Sequence, residues 1–153
     1  MKYASTLVAF TVMISAAGCT PTLQMEGRHV TRNPISYFEI PVTDMPRAMA
    51  FYSAVFGYSF ERETIDGYDM ALFPADPDGH GASGALAKGD VYVPSRNGTL
   101  PYLTVESIEA TLARATARNA TILYPKKDIG APGFVAEIED SEGNRIALFE
   151  RRD

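Results

Sequence analysis

Residues Asn33–Gly57, NPISYFEIPVTDMPRAMAFYSAVFG, decide the fold. In Ile35–Val42, Phe38, Ile40 and Val42 share one parity, and Tyr37, Glu39 and Pro41 share the other. That alternation is a half-buried strand with one apolar face and one face open to something polar. Asp44 stands where an N-cap belongs, and Pro46 follows in the first turn, where its missing N–H costs nothing. Ala48, Phe51, Tyr52, Val55 and Phe56 recur at i, i+3, i+4, i+7 and i+8 as one apolar stripe, and Gly57 supplies the left-handed stop. The stretch is a β-α unit, and the open question is what its polar strand face looks at.

Downstream, Tyr58–Ile65 and Tyr68–Pro74 read as strands joined by an Asp66-Gly67 hairpin turn. Gly81–Ala87, with Val91–Val93, reads as a further interrupted strand. Gly98–Glu106 is a new strand leading into a helix capped by Ser107, with Ile108, Leu112 and Ala115 on its apolar side and Asn119 closing it. Thr121–Tyr124, Phe134–Glu139 and Arg145–Glu150 are strands, and Lys126–Gly133 between them is a loop with two readings, a lid over the cup or a solvated charged loop. The order is βαβββ twice. The punctuation repeats too: Val42-Thr43-Asp44 matches Val105-Glu106-Ser107 at an offset of 63, and Asp76–Gly79 matches Asp140–Gly143 at 64. The expected class is therefore α+β: two tandem modules, 34–95 and 98–152, forming a cup-shaped, partly open mixed sheet with helices outside.

The 153 residues are 46% hydrophobic and 22% charged, ordinary for a globular chain, with a net charge of −5. No basic cluster exceeds Lys126-Lys127 or Arg151-Arg152, so nothing would neutralise a run of phosphates, and nucleic acid is excluded as a partner. Residues 1–19 differ from the rest. Lys2 gives a positive start, Ala4–Ser15 is an apolar run too short to span a bilayer, and Ala16-Ala17-Gly18 precede the one cysteine, Cys19. The small residues before Cys19 resemble a bacterial lipobox, although Ala16 replaces the usual Leu. That resemblance implies an exported lipoprotein, acylated at Cys19 and held in the cell envelope. Thr20 rather than Asp after the cysteine implies the periplasmic face of the outer membrane in a Gram-negative host. Residues 20–33, including His29, read as a tether.

The paired βαβββ plan, FEIPVTDMPRAMAFYSAVFGYSFE, and FVAEIEDSEGNRIALFE resemble the vicinal oxygen chelate superfamily of glyoxalase I, extradiol dioxygenases and bleomycin-resistance proteins. The resemblance implies a cup holding one divalent metal on His, Gln or Glu, a Lewis acid toward vicinal substrate oxygens. The residues at the implied ligand positions are Tyr37, Leu100 and Ala147, and the fourth falls in Gly81–Leu86, which contains no acid. No metal and no other cofactor is expected. Dimerisation is common in the superfamily, but the sequence carries no clear signal for a homodimer.

The candidate ligand-binding residues are Tyr37, Glu39, Tyr102, Thr104 and Phe149, which share cup-facing parity, and His80, the one histidine of the domain. Glu39 has two readings: a candidate catalytic base or ligand acceptor, or a carboxylate paired with Arg145. Gly79–Gly84 matches G-x-G-x-x-G literally, but strand-like residues follow where a dinucleotide site needs a helix. The leading expectation is a membrane-tethered, metal-free member of this superfamily that binds a small organic molecule. The alternatives are a lyase, isomerase or dioxygenase related to lactoylglutathione lyase with an atypical site at Glu39, Tyr102 and His80, and an envelope interaction module.

Overall fold

The computed structural model describes residues 35–78 and 81–152. The elements run β1 (Tyr37–Pro41), α1 (Met45–Phe56), β2 (Glu61–Ile65), β3 (Tyr68–Leu72) and β4 (Ser83–Lys88), then β5 (Tyr102–Thr104), α2 (Ile108–Thr116), β6 (Thr121–Asp128), β7 (Gly133–Glu139) and β8 (Arg145–Arg151). This is βαβββ twice, and the α+β class holds. The strands form two four-stranded mixed sheets, β1-β4-β3-β2 and β5-β8-β7-β6. In each, the opening strand runs parallel to the closing strand, and the remaining pairs are antiparallel.

The local signals act as read. The Asp44 side chain accepts from Arg47 N, and Gly57 closes α1 at φ 77, a conformation that a Cβ disfavours. Ser107 caps α2 by accepting from Ala110 N. On α1, Met45, Ala48, Phe51, Tyr52 and Val55 are buried, as the stripe requires. They join Ile40, Val42, Ala71 and Leu86 of the first module and Ile108, Ala136, Ile138, Ile146 and Leu148 of the second in one core. The helices pack on each other across it, and Arg114 of α2 donates from Nε to the Val55 carbonyl near the C-terminus of α1 at 2.6 Å. Each sheet thus has one helix-covered face and one helix-free face.

Three elements depart from expectation. Val91–Val93 is not a strand: both edges of β4 are already taken, by β1 and β3, so the segment beyond Gly89 turns away. β5 is only three residues long, although Ala147 N→Pro101 O and Val105 N→Phe149 O continue its pairing at both ends. β6 continues through Pro125 to Asp128, with register shifts on either side of Tyr124. It is an edge strand, where a residue without an N–H and a bulge are both tolerated. Half of the expected Lys126–Gly133 lid is therefore strand, and only 129–132 is left to link β6 to β7. Lys126 turns to the helix side, bonds Glu109 and Glu150 at 2.8 and 2.7 Å, and lies 4.3 Å from the Phe134 ring centre. Among the described residues, no helix is long and apolar enough to cross a membrane. Cys19, the signal and tether, His29 and His80 lie outside the described residues.

Candidate functional site

The helix-free face of the first sheet is set by β-strand alternation. Register lays Glu39, Ala85, Leu72 and Glu61 in one row across β1, β4, β3 and β2, and Pro41, Ala87, Met70 and Glu63 in the next. Ala85, Ala87 and Met70 are buried although no helix covers them, because Tyr68, Leu72 and Tyr92 pack over them as a second apolar cluster. Tyr68 and Tyr92 meet edge to face, with ring centres 5.2 Å apart.

Tyr92 is the residue that sequence reasoning missed. Its hydroxyl donates to Glu39 Oε2 at 2.8 Å. That hydrogen bond, reinforced by burial, pushes the Tyr92 phenol up to about 12. The available signal was the Val-Tyr-Val alternation: Val91 and Val93 point to solvent, at 63% and 71% exposure, while the tyrosine turns inward. Glu39 is exposed and bonds Tyr92, so of its two readings the pairing with Arg145 is not found. Arg145 instead makes two hydrogen bonds to Glu137, at 2.7 and 2.9 Å. The reason lies in the register: Glu139, directly opposite Arg145, is taken by Arg96, so Arg145 reaches to the diagonal carboxylate.

The expected site residues do not converge on one cleft. Tyr37 lines a cleft of about 470 Å³ with Ser59, Phe60, Glu61, Leu72, Phe73, Pro74, Ser83 and Gly84. Glu39 lines a second, of about 210 Å³, where Pro41 and Val93 meet Asn144 and Arg145 of the other module. Thr104 lines a third, of about 330 Å³, between the end of α1 and the start of α2. Tyr102 and Phe149 lie on the helix-free face of the second sheet, Tyr102 over Ala147 and Phe149 beside Thr104 and Val135. In the largest of these clefts the last glycine of the G-x-G-x-x-G run has a packing role. It enters β4 rather than a helix, and a Cβ on Gly84 would lie 2.3 Å from the Phe38 carbonyl oxygen and 2.9 Å from the Phe38 ring. Gly84 lets β1 and its aromatic side chain close that wall.

The implied metal positions do not fit a metal. Tyr37 presents a phenol raised by burial and then by Glu39 and Glu63, so it stays protonated where a ligand would need to be ionised. Opposite it stands Ser83, whose hydroxyl donates to Phe73 O. Leu100 precedes β5, and Ala147 is fully buried opposite Tyr102. Among the described residues no three His, Cys, Asp or Glu side chains gather closely enough to hold a cation.

A family model described as the Glyoxalase/Bleomycin resistance protein/Dioxygenase superfamily matches residues 34–148. A glyoxylase-like domain-containing protein of Didymella fabae is 32% identical over 127 residues, covering 80% of this chain and 97% of that protein. Among solved structures, TnmS3, an antibiotic binding protein from Streptomyces sp. CB03234, superimposes with a TM-score of 0.60 at 23% identity, over 81% of this chain and all of that one. A glyoxylase/bleomycin resistance protein/dioxygenase domain from Frankia sp. EAN1pec gives 0.62 at 17% identity, over 80% of this chain and all of that one. A match across both modules, together with the doubled βαβββ plan, makes this chain a member of the glyoxalase/bleomycin resistance protein/dioxygenase superfamily.

Proposed function

We propose that this protein binds a small organic molecule in the cleft at the end of its first sheet, beside Tyr37, without the metal used by enzymes of its superfamily. The observation that carries the reading is the cleft beside Tyr37. At about 470 Å³ it has the size of a ligand site, and Phe60, Leu72, Phe73 and Pro74 wall it. Its polar groups are few, and at the position implied for a metal ligand stands a neutral phenol. A phenol on an apolar wall orients a ligand by stacking and one hydrogen bond, whereas it is a poor donor for a divalent cation. The fold also serves as an antibiotic binding protein in TnmS3, which supports a binder without identifying its ligand. Native mass spectrometry of the purified protein, with elemental analysis, tests this. The expected result is a retained organic mass with no stoichiometric metal. One equivalent of tightly held Ni, Zn or Fe overturns it.

Export is a separate part of the proposal and rests on residues 1–19 alone. The short apolar run ending at Cys19 supports a lipoprotein signal, which would place the binding domain in the envelope on a lipid anchor. Palmitate labelling in a bacterial host tests it: incorporation is expected to vanish in Cys19→Ser, and labelling unchanged by that substitution refutes it.

A further inference from the structure

On the strength of the binder reading, we propose that the Tyr37 cleft takes an organic cation, a protonated or quaternary amine carried on a flat apolar body. Glu61 lines the cleft, and Glu39 and Glu63 lie on the same face of the sheet. The nearby cations are engaged elsewhere: Arg62 lies on the opposite face and bonds Asp69 there, Lys88 pairs in register with that same Asp69, and Arg145, which shares the second cleft with Glu39, bonds Glu137. Among the described residues, no salt bridge reaches Glu39, Glu61 or Glu63. The second sheet is the internal comparison. There Glu137 and Glu139 occupy the helix-free face too, and each has an arginine, Arg145 and Arg96. One face is neutralised by its own chain and the other is left negative.

The spread of the charge argues against a metal ion as the missing partner. Glu39 and Glu61 sit at opposite ends of a four-strand row, roughly 14 Å apart at three interstrand spacings, too far to chelate one cation. Between them Leu72 covers the fully buried Ala85 and, with Phe60 and the Tyr37 ring, gives the cleft an apolar and aromatic lining. A broad negative field over apolar and aromatic surface suits a large, weakly hydrated cation, which gains from ring faces and from carboxylates without being stripped to a bare ion. The same field raises the Tyr37 phenol after burial has done so, and it repels a carboxylate or phosphate ligand.

Calorimetric titration of the full chain with three probes of one shape tests the inference: phenethylammonium, 2-phenylethanol and phenylacetate. The ammonium is expected to bind at least about 10-fold tighter than the alcohol, with phenylacetate weakest, and added salt is expected to narrow the gap. Glu63→Gln, at an exposed strand position beside the cleft, is expected to weaken the ammonium about 3- to 10-fold and to leave the alcohol unchanged, and Glu61→Gln, in the cleft wall, to weaken the ammonium more than the alcohol. Glu106→Gln, in a different cleft, is expected to change neither. Equal affinity for alcohol and ammonium, or a preference for phenylacetate, overturns the charge assignment and leaves the binder reading standing. No binding of the ammonium also overturns it, and native mass spectrometry then judges the binder reading separately.

Discussion

Glu142 ties the second module to the first helix. One oxygen accepts from Thr43 N, Thr43 Oγ1, Asp44 N and an Arg47 Nη, and the other accepts from Arg47 Nε at 2.7 Å. Burial alone would raise this carboxyl, but the Arg47 bond and the two backbone amides outweigh it and bring it from the ordinary 4.5 down to about 2. A depressed carboxyl contributes stability that is complete above the unfolded pKa and is lost as pH falls through the folded one. The contribution is on the order of 3 kcal/mol at neutral pH, each pKa unit being about 1.4 kcal/mol. Glu142→Gln is expected to lose about 2–3 kcal/mol at pH 7 in urea unfolding, and the gap to wild type is expected to shrink between pH 4.5 and 2. A gap independent of pH would show that the carboxylate charge is not what holds the joint. Deeper in, the Tyr52 hydroxyl donates to Asp140 Oδ2 at 2.8 Å, and Asp140 also accepts from Asn144 N, Asn144 Nδ2 and Glu142 N. Tyr52→Phe leaves that buried carboxylate one donor short, at an expected cost of about 1–3 kcal/mol in the same measurement.

At the scale of elements, the caps and edges carry the testable content. Asp44→Ala removes the acceptor for Arg47 N and is expected to cost about 1 kcal/mol, read as a shift of the urea midpoint with an unchanged slope. Gly133, where β7 begins, has φ 134, and a Cβ there would fall 2.1 Å from the Glu150 carbonyl oxygen on β8. Gly133→Ala must therefore push β7 from β8, at an expected cost of at least about 2 kcal/mol, whereas Gly130→Ala, with open space around it, should cost less. β1, α1 and the hairpin at Asp66-Gly67 were legible because caps, stripes and turns act within a few residues. The extent of β6 was not, since tolerance of Pro125 depends on the strand being at an edge, which is a property of the assembled sheet.

For the molecule as a whole, the charge asymmetry between the two helix-free faces predicts a directional response to salt. Affinity for the proposed organic cation should fall as ionic strength rises, while unfolding stability, governed by the shared core, should change little. Calorimetry and thermal melts at two salt concentrations separate the two. Sequence alone determined the doubled βαβββ plan, the caps, the core stripe of α1, and that Tyr37, Leu100 and Ala147 stand where the family resemblance implies metal ligands. These follow from short-range periodicity, from a repeat that aligns with itself, and from side-chain chemistry that no packing alters. Only the tertiary structure decided that Tyr92 rather than Arg145 meets Glu39, that Arg145 and Arg96 neutralise the second sheet, and that Tyr37, Glu39 and Thr104 line separate clefts. Those pairings join residues dozens of positions apart, where parity gives the face but only register and packing give the partner.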